Sequence, residues 1–445
     1  MRLRNFRMEE NFTLRIRFLL NLLLITATLG TPFSPGRVAA QTESAASTAV
    51  NNNSLSLGHL LNEARERNPE IRAAERKWTA MRARIKPAGT LEDPQVALQA
   101  MYAPYPPFKN ALSNERAITV SQMFEFPGKL GLMSSMAAKE ADMSQADYER
   151  VILRVLTEVK RTYYTLFHID YDLVVNQENR ELMQQFTEIA NVKYATGMGM
   201  QPDVLKAQTE SSMLLNDSLM LAQERISMVA MLNALLDRPR ETLVPTITEH
   251  PAFEPFVFNL DSLVQEAYST RPELNNMKAM AEMYRLSGSL ARREYFPNFM
   301  LSYTHRKMPD GLNWDAMVSF NLPLYFWRKE NLRVQEADAN YQMAQASLES
   351  MRNMVRAEVE SAFRKFEQAG RSVELFQNAI IPQAQQSLLA NRAAYENNRV
   401  DFLMLLDSQR VLRDTRLAWH QALADYGTRF AELEYAVGKR LGRVE

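Results

Sequence analysis

Leu57-Gly-His-Leu-Leu-Asn-Glu-Ala-Arg-Glu-Arg-Asn-Pro69-Glu70-Ile71 returns without a gap as Leu260-Asp-Ser-Leu-Val-Gln-Glu-Ala-Tyr-Ser-Thr-Arg-Pro272-Glu273-Leu274. The spacing from Pro69 to Pro272 is 203 residues, and the same spacing pairs Pro94 with Pro297 and Leu98 with Leu301. Further along, Glu158-Val159 answers to Glu358-Val359, Tyr194 to Tyr395 and Gln208 to Gln409. A repeat this long is a domain-sized module copied in tandem, not a short solenoid unit. The expected layout is a first repeat over 54–237, a linker over 238–257 with four prolines (Pro239, Pro245, Pro251, Pro255), and a second repeat over 258–445.

Each half carries the same series of periodicities. Leu57, Leu60, Leu61 and Ala64 mark an amphipathic helix interrupted at Pro69, and a second helix follows over 70–85. The period then changes to two. Val96, Leu98, Ala100 and Tyr102 share one face, opposite Gln95, Ala97, Gln99 and Met101. Ile118, Val120, Phe124 and Phe126 oppose Thr119, Ser121 and Glu125. In the second half Phe299, Leu301 and Tyr303 form one apolar face, and Trp314, Ala316, Val318, Phe320 and Leu322 another. Runs of about 9–11 alternating residues are the length a tilted strand needs to cross a bilayer. Alternation alone equally fits a sheet packed on helices with its apolar face buried.

The remainder is helical. No proline interrupts 129–195, and Pro382 alone interrupts 329–396. A helix over the first stretch would be about 100 Å long and implies coiled-coil packing. Leu214, Leu221, Met228 and Leu235 recur every seven residues, as do Leu215, Ala222, Val229 and Leu236. Two adjacent stripes suit a helix with neighbours on both sides. The 25 methionines are expected mainly as filler of such seams.

The N-terminus reads as an export signal. Basic residues precede an apolar run over 18–29, and Val38-Ala39-Ala40 stands before Gln41 as a cleavage site. Residues 1–40 are therefore expected to be a signal peptide and 41–53 a flexible lead-in. Later residues contain no second long apolar run, so membrane residence would have to use strands. Four strands cannot close a barrel, because the smallest have about eight; two copies would give eight and three would give twelve, enough for a lumen.

The chain has 52 basic and 52 acidic residues, which gives no electrostatic footprint for nucleic acid. It has no cysteine, hence no disulfide or thiolate metal site. Its five histidines (His59, His168, His250, His305, His420) form no ligand or triad spacing. The one local His/Asp group, His168 with Asp170 and Asp172, lies within a long helical run and reads as part of a helix seam. No enzyme, cofactor or metal centre is expected.

Two turn sequences carry a resemblance. The first is Tyr194-Ala-Thr-Gly197-Met-Gly199-Met-Gln-Pro202-Asp203-Val-Leu-Lys-Ala-Gln208 and the second Tyr395-Glu-Asn-Asn398-Arg399-Val-Asp401-Phe-Leu-Met404-Leu-Leu-Asp407-Ser-Gln409. Gly197 and Gly199 are expected at positive φ, Pro202 in the first turn of the new helix, and Asp203 against its dipole. Together with the duplicated blocks, these turns resemble the outer-membrane efflux protein family typified by TolC, over 57–441. The resemblance implies a mainly α chain with a membrane β-barrel portion: a long coiled-coil tunnel, four barrel strands per chain, two structural repeats and a trimeric twelve-stranded barrel. It implies an outer-membrane duct with a periplasmic helical extension, in a Gram-negative bacterium, serving tripartite efflux or type I secretion. The implied partners are outer-membrane lipid, a periplasmic membrane-fusion adaptor and an inner-membrane pump of RND, ABC or MFS type. It further implies a gate in which Tyr395 links to Asp203, with Asp401 and Asp407 lining the entrance. Tyr194, Gly197, Gly199, Pro202, Asn398 and Arg399 would form the turns that dock the adaptor. The family's usual arginine position holds Val400 here, and one of its acidic positions holds Met404. Alternatively Asp407 is a solvated helix carboxylate paired with Arg410 or another neighbour. The competing function is a soluble periplasmic coiled-coil adaptor.

Overall fold

The computed structural model describes residues 55–101, 115–247, 253, 258–308, 311–397 and 399–442. The expected signal peptide, the whole lead-in, Tyr102, part of the linker and Asn398 lie outside the described residues.

The elements run α1 (Leu57–Arg67), α2 (Pro69–Ala88), β1 (Gln95–Met101), β2 (Glu115–Phe124), α3 (Lys129–Ala195) and α4 (Gln201–Leu235). The series then repeats as α5 (Leu260–Thr270), α6 (Pro272–Arg293), β3 (Phe299–Met308), β4 (Gly311–Phe320), α7 (Glu330–Leu375), α8 (Ile381–Glu396) and α9 (Phe402–Val437). The residue before each repeated proline explains why the duplicated block persists. Asn68 is buried; its side-chain oxygen accepts from the Glu70 and Ile71 amides at 2.9 and 3.2 Å, capping α2. Its amide nitrogen donates 2.8 Å to the Leu235 carbonyl, at the end of α4. In the second half Arg271 donates to the Tyr435 and Ala436 carbonyls at 3.2 and 2.7 Å, at the end of α9. The same position thus ties each short helix pair to the last turn of its own returning helix, where orphan carbonyls need donors.

α3 has 67 residues, about 100 Å of helix. Its counterpart is α7 followed by a π-helical turn over Phe376–Ile380 and then α8. Pro382 stands in the first turn of α8. It lacks an N–H and crowds the preceding turn, and a widened turn just before it lets the helix continue. Around α1 and α5 the long helices bury Leu60, Leu61, Val159, Phe167, Leu263 and Phe366. The described part of the linker is packed here: Val244 and Ile247 are buried, and Arg238 donates 2.9 Å to Glu63.

The strands form one antiparallel sheet ordered β1-β2-β3-β4, so the repeats join between β2 and β3. Val96, Val120, Tyr303 and Ala316 stand in one row across it. The apolar face lies open: Val96 is 65 % exposed, Leu98 78 % and Trp314 70 %. On the opposite face Ala117, Ser302 and Thr304 are buried, and the Thr119 and Thr304 hydroxyls are 3.0 Å apart. This removes the alternative of an apolar face packed on helices. Among the described residues, β1 and β4 are each paired on one side only. Below the sheet, buried Lys129 donates to Asn298 Oδ1 and the Phe296 carbonyl at 2.7 and 3.1 Å, fixing the start of α3 to the base of β3.

Within one chain the methionines divide between buried and open positions. Met183 is buried, but Met213, Met220, Met231, Met343 and Met354 are exposed. The stripe through Leu214 is inward, whereas Leu215 in the second stripe is open. Among the described residues, those side chains of α4 and α7 are left largely uncovered.

Candidate functional site: the paired hairpin tips

Two helix reversals lie together at the end of the bundle away from the sheet. Met183, Phe186, Val204 and Leu214 from α3 and α4 share one buried cluster with Tyr395 of α8 and Phe402, Leu405 and Leu406 of α9. In the first reversal the Lys193 carbonyl accepts from the Met198 and Gly199 amides at 2.8 and 2.9 Å. Gly197 takes φ 73°, as a left-handed helix end requires. Gly199 is not among the positive-φ glycines, correcting that expectation. Its requirement is space, since a Cβ there would stand 3.0 Å from Lys193 Cβ and 3.1 Å from the Tyr194 amide nitrogen. Pro202 and Asp203 occupy the first turn of α4. Tyr194 is exposed, as are Met198, Met200 and Leu205.

In the second reversal the Arg399 amide donates 2.8 Å to the Ala394 carbonyl. Asp401 caps α9, accepting from the Met404 amide at 3.0 Å. Asn398 lies outside the described residues.

The reversals are joined by Tyr395, which is 6 % exposed with its ring 5.7 Å from that of Phe402. Lys193 Nζ donates 2.8 Å to the Tyr395 carbonyl and stands 4.0 Å above its ring, a cation–π contact. Burial, and then the negative charge of Asp203, push the Tyr395 hydroxyl above its ordinary pKa. The phenol therefore stays protonated and is the group able to donate toward Asp203. One layer deeper, buried Glu210 of α4 ion-pairs with Arg410 and, at 3.1 Å, Arg413 of α9. Gln409 hydrogen-bonds Asn179, and Arg416 reaches Glu178 at 2.8 Å. Asp407 is exposed, and Arg410 has its guanidinium on Glu210, so the expected alternative of an Asp407–Arg410 pair is not formed.

The structure puts Tyr395 within electrostatic reach of Asp203 and leaves Asp407 exposed on its helix. Sequence reading missed Lys193, Glu210 and Arg413. Each pairs with a residue about 200 positions away, and the repeat offset of Tyr194 with Tyr395 and Gln208 with Gln409 was the signal that such positions meet.

Residues 60–237 and 263–439 match the family described as outer membrane efflux protein. The chain belongs to that family. Outer membrane protein TolC of Salmonella enteritidis is 22 % identical over 399 residues, covering 84 % of this chain and 80 % of TolC. Among solved structures, the outer-membrane channel OprN aligns with a TM-score of 0.73 at 16 % identity, covering 92 % of this chain and 98 % of its own. VceC of Vibrio cholerae, an outer membrane protein, aligns at 0.71 and 16 %, covering 86 % and 96 %. This outer membrane efflux protein is accordingly an outer-membrane channel, with the sheet as its share of the barrel and the long helices as its periplasmic extension. The soluble-adaptor alternative finds no support in the fold or in these relatives.

Proposed function

We propose that three copies of this outer membrane efflux protein form a passive duct, a twelve-stranded barrel continued by a helical tunnel. It receives cargo from a periplasmic membrane-fusion adaptor and an inner-membrane pump of RND, ABC or MFS type, in efflux or type I secretion. The observation that carries this reading is the half-finished sheet. Its lipid-type face is exposed and each of its edges lacks a partner, and no open edge persists in a bilayer. The exposed apolar faces of α4 (Met213, Leu215, Leu219, Ile226) and α7 (Leu332, Met343) supply the matching surfaces below, in an extent a monomer would not leave bare. The duct performs no covalent chemistry. The chain divides into its two repeats at the proline-bearing linker, and the exported form begins after residue 40.

The paired tips act as the entrance. Tyr395 and Asp203 hold the two reversals of one protomer together, Asp401 fixes the second turn, and three copies of Asp407 line a cation-favouring constriction. The exposed turn residues Tyr194, Gly197, Pro202 and Arg399, together with half-buried Gly199 and with Asn398, form the adaptor-docking surface. Reconstitution in planar bilayers tests the reading. A trimer giving small resting currents and cation preference supports it; a monomer without conductance overturns it.

A further inference from the structure

Between the tips and the core belt, three helices turn one stripe each toward a common cavity of about 260 Å³. Its floor is Asp172 and Asn176, four residues apart on α3. Its rim carries Asp217 and Glu224 of α4, and its apolar wall is Met220 and Leu221 of α4 with Leu417 of α9.

The floor is polar but unsatisfied. Asp172 is 8 % and Asn176 6 % exposed, and neither Asp172 Oδ1 nor Asn176 Oδ1 has a hydrogen-bond partner. The second Asp172 oxygen, Oδ2, lies 3.3 Å from His168 Nε2. Asp170 on the same helix shows the contrast: its oxygens accept from Arg225 Nε at 2.5 Å and the Ile247 amide at 2.8 Å. Buried acceptors without donors are exceptional, because each loses its hydrogen bonds to water without replacement. The rim adds negative charge, and the one cation lining the cavity, Arg413, is bonded to Glu210 and Asp414. Water could donate to the two oxygens, but it matches neither the excess of carboxylates nor the apolar wall. Among the described residues, no three His, Cys, Asp or Glu side chains converge as metal ligands.

We infer that this cavity is a binding site for a small organic ammonium ion. Its N–H groups would donate to Asp172 Oδ1 and Asn176 Oδ1, and its carbon body would lie on Met220, Leu221 and Leu417. Asp172 must be ionised to serve as counter-ion. Burial first, and Glu224 second, push its carboxyl up to about 7. Burial holds His168 below its ordinary pKa, so the imidazole beside Asp172 is neutral when the carboxylate forms. The other charged groups facing the site are Asp217 and Glu224 from α4 and Arg413 from α9. Affinity is therefore near its full value about one pH unit above 7, half of it at about pH 7, and falls further as pH drops. At about pH 6 roughly one tenth of the floor carboxylate is ionised, which weakens apparent binding about tenfold.

The test is a 19F NMR titration of the purified full-length protein in detergent, with 4-fluorophenethylammonium as probe and 4-fluorophenethyl alcohol as neutral control. Binding is measured whether or not the protein conducts, so the result stands apart from that of the duct reading. The expected result is one saturable ammonium site per protomer at about pH 8, at least about tenfold tighter than the alcohol and about tenfold weaker at about pH 6. Asp172→Asn should lose at least about tenfold, an interaction of a buried charge. Leu417→Trp, which keeps every charge and fills the space, should abolish saturation. Equal titration of ammonium and alcohol, wild-type binding by both variants, or no saturable site at millimolar probe would overturn the inference.

Discussion

Arginine at position 120 would place a charge at the centre of the exposed apolar face. Val120 is in mid-β2, flanked in its row by Val96 and Tyr303, and its side chain is exposed. If that face meets lipid, a midplane arginine costs about 2–4 kcal/mol in a barrel. That is a factor of roughly 30 to 1,000 per protomer, and about 6–12 kcal/mol for three copies. Ser121 is the internal control. It is the next residue, on the opposite face, paired with buried Ser302. Ser121→Arg should cost little, because a lumen with water in it accepts the charge. Both variants would be refolded from urea into phospholipid vesicles and scored by the fraction of folded oligomer on a cold denaturing gel. Val120→Arg should fold poorly and Ser121→Arg nearly as well as the parent. Normal folding of Val120→Arg together with failure of Ser121→Arg would mean that the apolar face is covered by protein, and the barrel reasoning would be refuted.

Three further outcomes follow from the same geometry. Tyr395→Phe combined with Asp203→Ala should raise resting conductance in planar bilayers, since it removes the donor and acceptor proposed to join the tips; a leak-free double variant would count against the latch. Asp407→Asn should lower cation selectivity in single-channel recordings, and unchanged reversal potentials would defeat its place in the constriction. The hydrogen bond and charge of Arg238 hold the Glu63 carboxyl below its ordinary value of 4.5. A depressed pKa stabilises the fold above 4.5 and the contribution is lost as pH falls through the lower folded value. Glu63→Gln should therefore flatten acid unfolding below that pH, and a profile unchanged from the parent would remove this pair from the stability of the α1–linker contact.

Much of this fold could be read from the chain. The duplicated Pro-Glu blocks, the proline-free run of α3 and the two-residue periods gave element type and order, because each is a local constraint. Alternation in Val96, Leu98, Ile118 and Val120 identified an apolar face without saying what covers it. That needed the pairing of β2 with β3, residues about 180 positions apart. The π turn ahead of Pro382 and the close approach at Gly199 were also beyond sequence reading, as both depend on how a neighbouring turn is packed. At the tips, the turn residues were legible from glycine and proline chemistry. The contacts that hold the tips together were less so. Glu210 looks like any helix carboxylate until Arg410 and Arg413 arrive from the other repeat, and Asp172 shows its missing partner only once α4 and α9 enclose it.

The central claim is that β1 of one protomer pairs with β4 of the next. The chain has no cysteine, so introduced pairs report cleanly. Val96 and Ala316 share a row but lie three strands apart within one chain, about 14 Å at the usual strand spacing. A disulfide needs Cα atoms within about 7 Å, so such a pair cannot close inside one sheet. Cysteine at Val96 would be combined in turn with cysteine at Trp314, Ala316 or Val318, oxidised in membranes and run without reductant. At least one combination should give a covalent trimer; a monomer from every combination, with the thiols still free, would contradict the account.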